Sequence, residues 1–175
     1  REDLLVMKLG RILATAEEKG DLISAYFIPA EEGTELLTSL AEKGVDTRVM
    51  TNSLESNDVA SVHSAYMKYR PQLLEDGVKM LELRSDSPNE NTELVPDPLG
   101  VSSSLHAKSF AIDGRHVFIG SFNFDPRSAS LNTEMGYLID SPEIAANMAA
   151  ALDDIEDYYR VTFDPKYVRV DGNNH

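Results

Sequence analysis

The chain has 175 residues, 42% hydrophobic and 26% charged, enough for one domain with a sizeable core and too few for two ordinary ones. It contains no cysteine, which excludes disulfides, thiolate metal sites and a cysteine nucleophile. Sixteen basic against thirty acidic residues leave a net charge of −14; that field repels nucleic acid and anionic membrane surfaces, so an anionic substrate needs a local positive pocket.

Apolar residues Leu4, Leu5, Leu9, Ile12, Leu13 and Ala16 recur at helical spacing and predict an amphipathic helix over 2–18, closed by Gly20. The apolar run 22–28, bounded by Pro29, reads as a buried strand. Glu31 and Glu32 open a helix that packs Leu36, Leu37 and Leu40 and ends at Gly44, and 45–50 reads as a second strand. After a turn-rich stretch at 51–58, Val59, Val62 and Tyr66 start a third helix, which Pro71 interrupts before Gly77. Residues 78–83 form a third strand candidate, whereas 84–104 are rich in Ser, Pro, Asn, Asp and Gly and show no periodicity.

The second half changes character. Residues 105–112 alternate as a strand, Asp113-Gly114 is a hairpin signal, and 117–119 is the return strand. A further strand is expected over 133–139. Ser141-Pro142-Glu143 then starts a helix whose stripe of Ile144, Met148, Leu152 and Ile155 continues to Tyr159. This order predicts an α/β fold with a mixed, mostly parallel sheet flanked by helices on both faces, in one domain over 1–175. No apolar run approaches the ~18 residues of a membrane-spanning helix. The chain starts at Arg1 in a helical pattern and trails off over 171–175; the expectation is a piece of a longer protein.

The chemistry-bearing segment is His106-Ala107-Lys108, then Asp113, then Gly120-Ser121-Phe122-Asn123. On a strand, residues two apart share a face about 6–7 Å apart, a distance one phosphate group can bridge. Imidazole serves as nucleophile or proton carrier near neutral pH, and a nearby ammonium stabilises charge growing on a phosphoryl group. The Ser121 hydroxyl and the Asn123 amide sit where the paired strand brings them to the same spot. Glu134, on the next strand, is placed to orient the far nitrogen of His106. Asp113 opens the hairpin, which is a sufficient structural reason for an aspartate there. His63 reads as a partly buried structural histidine, His116 as a turn residue, and Asp153, Asp154, Glu156 and Asp157 as a solvated helix face.

This pattern resembles the phospholipase D superfamily, whose motif is His, any residue, Lys, four residues, Asp, then six residues and Gly-Ser-any-Asn. Residues His106, Lys108, Asp113, Gly120, Ser121 and Asn123 match it throughout. Tyr26-Phe27-Ile28-Pro29, Val49-Met50-Thr51-Asn52-Ser53-Leu54, Tyr69-Arg70 and Asp125-Pro126-Arg127-Ser128 extend the resemblance to the bacterial cardiolipin synthase C-type branch, over about residues 20–160. The resemblance implies a phospholipase D-like lobe, corresponding to a C-terminal half that carries the HKD motif. It implies that His106 attacks phosphorus to form a phosphohistidine, that Lys108, Ser121 and Asn123 bind phosphoryl oxygens, and that Glu134 orients His106. No metal and no cofactor are implied.

The family's site uses two such motifs, and this chain has one: His63, His116 and His175 are not followed two residues later by Lys. The second catalytic His is therefore expected from another lobe, in the same full-length protein or in a second copy, and the isolated chain is expected to be inactive. The implied activity is phosphatidyl transfer between phospholipid head-group alcohols, at the cytoplasmic side of a bacterial inner membrane, without a nucleic-acid partner. The segment 52–70 is implied to line the acceptor side. Two other readings stand beside it: phosphodiester hydrolysis in lipid or nucleic acid, and a non-catalytic scaffolding lobe.

Overall fold

A computed structural model describes residues 5–57, 59–85, 105–125, 135–153, 158–163 and 169–171. Along the chain these form α1 (Leu5–Leu13), β1 (Lys19–Ser24), α2 (Ala30–Glu42), β2 (Asp46–Asn52), α3 (Ala60–Met67), α4 (Arg70–Glu75) and β3 (Lys79–Leu83). Then follow β4 (Lys108–Ile112), β5 (His116–Gly120), β6 (Gly136–Asp140), α5 (Pro142–Asp153), β7 (Tyr158–Thr162) and β8 (Arg169–Asp171).

The strands form one eight-stranded sheet in the order β6-β5-β4-β1-β2-β3-β7-β8. Side chains alternate across it, so neighbouring residues of one strand feed opposite cores. Leu22, Val49 and Met80 pack with α1, α2 and α4 residues such as Leu13, Leu37 and Leu73 on one face. Ile23, Met50 and Leu81 pack with Ala145, Met148 and Leu152 of α5 on the other. Helices on both faces of a mixed sheet bear out the α/β expectation.

The balance of the sheet differs from the expectation of mostly parallel strands. Among the strands of the described residues, β1–β2 and β2–β3 are parallel, while β1–β4, β3–β7, β4–β5, β5–β6 and β7–β8 are antiparallel. Parallel neighbours need a long crossover, and α2 and the α3–α4 pair supply the two found here. Later strands arrive by hairpins or return from the opposite edge, and pair antiparallel.

Several boundaries also shift. The first helix ends at Leu13, and Gly20 lies inside β1 instead of closing it. Pro71 stands in the first turn of α4, where a missing N–H costs nothing, and so divides α3 from α4. The last helix stops by Asp153, and the apolar spacing carried forward to Tyr159 belongs to β7, with Tyr158 and Val161 buried. Asp153 is not simply solvated: it accepts a 2.5 Å hydrogen bond from Arg48, whose guanidinium also makes 2.7 and 2.8 Å bonds to Asp21 on β1. Asp154, Glu156, Asp157 and the loop segment 86–104 lie outside the described residues.

Candidate active site

The chain leaves β1 for β2 and β3 on one side of the sheet and returns to β4 on the other. Where strand order reverses in this way, the connections part and leave a crevice beyond the carboxyl end of the central strand. The register then fixes what lies there. Ser24, the last residue of β1, pairs with Lys108, the first of β4. The Ala25 amide continues the ladder by donating to the Ala107 carbonyl at 3.1 Å. Lys108 alternates onto the face of Phe110 and Ile112, and its ammonium donates to the His106 carbonyl at 2.9 Å. His106 is exposed and Lys108 half-buried.

Gly120-Ser121 arrives from the other side, because β5 pairs with β4 through Ser109 and Ile119. A glycine is required at this close approach of β5 and β6: a Cβ on Gly120 would lie 2.5 Å from the Met135 carbonyl oxygen and 2.9 Å from the Gly136 Cα. Ser121 is locked to the same carbonyl through its amide at 2.9 Å, and the Met135 amide donates to its hydroxyl at 3.1 Å. Asn123 follows, its Oδ1 accepting from the Tyr26 amide at 3.4 Å. Phe124 then bonds across to β1, its amide donating to Ser24 Oγ at 3.0 Å and its carbonyl accepting from the Ile28 amide at 2.7 Å. His106, Lys108, Ser121 and Asn123 therefore gather at one end of the sheet, around the end of β1.

Asp113 is not part of that group. It lies at the opposite end of β4, on the order of 20 Å along the strand from His106 at ~3.3 Å per residue. Its φ of +50° and that of Gly114 at +63° make the tight hairpin predicted from the sequence. The carboxylate accepts from the amides of Glu17, Glu18 and Lys19 at 2.8–3.1 Å, fastening the α1–β1 turn to the hairpin. Burial alone would raise its pKa, but the Lys19, Glu18 and Glu17 amides outweigh it and hold the carboxyl below the usual range. Its contribution to stability is thus present above the ordinary Asp pKa of about 4 and is lost as pH falls through the lower folded value. Asp113→Asn, which tolerates the positive φ, is expected to lower stability by about 1 kcal/mol at pH 7. The deficit should shrink in denaturation curves as pH falls through that lowered pKa, with activity per folded molecule unchanged.

Glu134 lies outside the described residues; β6 itself begins at Gly136. His106 departs from expectation in one respect: β4 begins at Lys108, so His106 precedes the strand. What holds it there was missed from sequence. Asn52, 1% exposed at the end of β2, donates through Nδ2 to the carbonyls of Ala25 and Leu105, both at 3.1 Å. Its Oδ1 accepts from the Leu105 amide at 2.8 Å. The only signal for it was a buried amide at the end of a strand, with nothing in the sequence to name its partner.

Asn52, Ser53, Ser56, His63, Tyr66 and Arg70 are all buried. Other side chains of segment 52–70, among them Leu54, Glu55, Met67 and Lys68, are exposed. His63 is a structural histidine, edge-on to Tyr66, and burial pulls its pKa below the ordinary value. Among the described residues, no group of three or more His, Asp or Glu side chains is arranged to hold a metal ion.

Comparison with known proteins places this geometry. A family model described as "Cardiolipin synthase, PLD-like domain" matches residues 9–155. Cardiolipin synthase C of Escherichia coli K12 is 47% identical over 146 residues, which cover 83% of this chain and 31% of that protein. Cardiolipin synthase A of Yersinia pseudotuberculosis is 26% identical over 153 residues, 87% of this chain and 28% of that protein. The chain thus spans about a third of the length of these relatives. In fold it is similar to the phospholipase D family member Nuc from Salmonella typhimurium, with TM-score 0.67, 17% identity and 90% of both chains covered. It is also similar to phosphatidylserine synthase of Haemophilus influenzae, with TM-score 0.62, 16% identity, and 95% of this chain and 36% of that one covered. The motif that converges at the end of β1, the eight-stranded fold and the match over 9–155 agree: this chain belongs to the cardiolipin synthase family of phospholipase D-like domains.

Proposed function

We propose that this chain is one lobe of a phosphatidyltransferase of the cardiolipin synthase type. The observation that carries the reading is that His106, Lys108, Ser121 and Asn123 lie at the same end of the sheet, where β1 stops, an imidazole among donors suited to a phosphate anion. A ring nitrogen of His106 attacks the phosphorus of a phospholipid. An N–P bond forms, the P–O bond to the head-group alcohol breaks, and the alcohol leaves with a proton from a second histidine. The acceptor alcohol then gives its proton back to that histidine as its oxygen attacks phosphorus and the N–P bond breaks. Lys108 and Asn123, supported by Ser121, stabilise the charge on the phosphoryl oxygens, and Glu134 orients His106. The step needs no metal or cofactor.

The second histidine comes from another phospholipase D-like lobe, in the full-length protein or a second copy, so the isolated chain is inactive. A cluster beside the site supports a partner: Ile119 and Tyr137, opposite each other on β5 and β6, and Met135, bonded to Ser121, are 43%, 69% and 68% exposed. Apolar side chains concentrated on an edge strand call for a cover. No helix of the described residues is long and apolar enough to cross a membrane. Peripheral contact with the cytoplasmic face of the bacterial inner membrane, through these residues or other parts of the full-length protein, is part of the proposal.

The net charge of −14 disfavours a nucleic-acid substrate for this lobe. Product analysis separates transfer from hydrolysis. Full-length protein given a phosphatidyl donor and an excess of a glycerol-bearing acceptor should yield mainly the exchanged diester; phosphatidic acid as the sole product would make it a hydrolase.

A further inference from the structure

We propose that Asn52 is a positioning residue for His106, acting through the Leu105 peptide; this rests on the reading that His106 reacts with phosphate. The problem it solves is visible in the sheet. The ladder between β1 and the segment leading into β4 stops at the bond from the Ala25 amide to the Ala107 carbonyl. Two residues further back, the chain has no strand beside it, yet His106 lies in that gap. The Asn52 side chain reaches across the end of β1 from β2 and meets both the N–H and the C=O of Leu105, at 2.8 and 3.1 Å. One side-chain amide thereby takes the place of a strand neighbour for the residue immediately before His106.

The orientation of the amide is determined by its partners. Nδ2 faces two carbonyls, those of Ala25 and Leu105, and Oδ1 faces the Leu105 N–H. A flipped amide would set donor against donor and acceptor against acceptor. Asn52 is itself immobilised. Ser56 Oγ contacts its Oδ1 at 3.4 Å and bonds the Leu83 carbonyl at 3.0 Å. At 1% exposure, water cannot replace any of these bonds. No other standard side chain fits both needs at this length. Aspartate lacks the donor and would set a buried charge against two carbonyls, and glutamine is one methylene longer.

Asn52 touches no substrate, so its effect is on geometry. A nucleophile displaced by about 1 Å loses on the order of 10²-fold in rate. The test uses full-length protein carrying Asn52→Asp, with Asn52→Ser as the milder variant. Each is measured for kcat and KM with a phosphatidyl donor, for the folded fraction, and for backbone hydrogen exchange in the peptide spanning 105–107. Expected are a kcat per folded molecule lowered about 10–100-fold, a KM within twofold of the parent, and faster exchange confined to 105–107. Unchanged kcat per folded molecule with a lowered melting temperature would reduce Asn52 to a stability residue and overturn the proposal. Unchanged exchange at 105–107 would overturn it too. If the parent protein turns over no donor but exchange still loosens at 105–107 alone, the transferase reading fails while the positioning of His106 by Asn52 stands.

Discussion

Replacing His106 by alanine in the full-length protein is expected to lower phosphatidyl transfer by roughly 10⁴-fold or more, with donor KM little changed. On the proposed mechanism, loss of the nucleophile removes the covalent route altogether, while Lys108, Ser121 and Asn123 would still hold the phosphate. Lys108→Ala should behave differently. On the same mechanism it would remove one stabilising cation while leaving the nucleophile, so a loss of about 10²–10³-fold is expected, in kcat more than in KM. Steady-state kinetics of the two variants side by side check both. Equal, small losses would mean that the crevice at the end of β1 binds lipid without performing the chemistry.

The largest effect on stability is expected at Glu82. Its carboxylate, 2% exposed on β3, accepts from Arg70 Nη1 at 2.8 Å and from the Tyr66 hydroxyl at 3.1 Å. Burial, then the charge of Glu82, pushes the Tyr66 phenol well above its usual pKa, so it remains a neutral donor. Arg70 is itself 7% exposed, and its Nε has no partner among the described residues. Glu82→Ala would leave that guanidinium buried without its anion, at a cost of about 3–5 kcal/mol. Replacing the pair together by apolar residues of similar volume, as Arg70→Met with Glu82→Leu, should restore most of that loss. Denaturant midpoints of the single and double variants decide it. A single-variant loss under about 1 kcal/mol would mean that the pair is not buried as described.

The fold was legible where one local cause sufficed. Asp113-Gly114 demands a hairpin because only residues tolerant of positive φ make so tight a turn, and Ser141-Pro142-Glu143 marks a helix start whatever surrounds it. The spacing of His106, Lys108, Ser121 and Asn123 was enough to predict that they meet, since a hairpin brings the end of β5 beside the start of β4. The rest depended on contacts between distant segments. Nothing near Leu105 indicates that an amide more than fifty positions earlier replaces its strand partner, so β4 was expected to begin too early. The apolar residues after Asp153 fit helical spacing as well as strand alternation, and pairing with β3 decides for β7. Parallel pairings were overcounted because the βαβ rhythm of the first half does not persist past β3. Asp153 sits in an acidic run that sequence alone reads as solvent-facing; only the buried Arg48 on β2 gives it a partner.

The central claim is that His106 forms the covalent bond to phosphorus, and peptide mass analysis tests it most directly. Full-length protein, intact and His106→Ala, is exposed briefly to a phosphatidyl donor and quenched in alkaline denaturant, which preserves an N–P bond. The account predicts a phosphatidyl mass increment on the peptide containing His106, absent from the variant. Turnover with the increment on a histidine of the other lobe, and none on His106, would contradict it and make His106 the acid instead of the nucleophile.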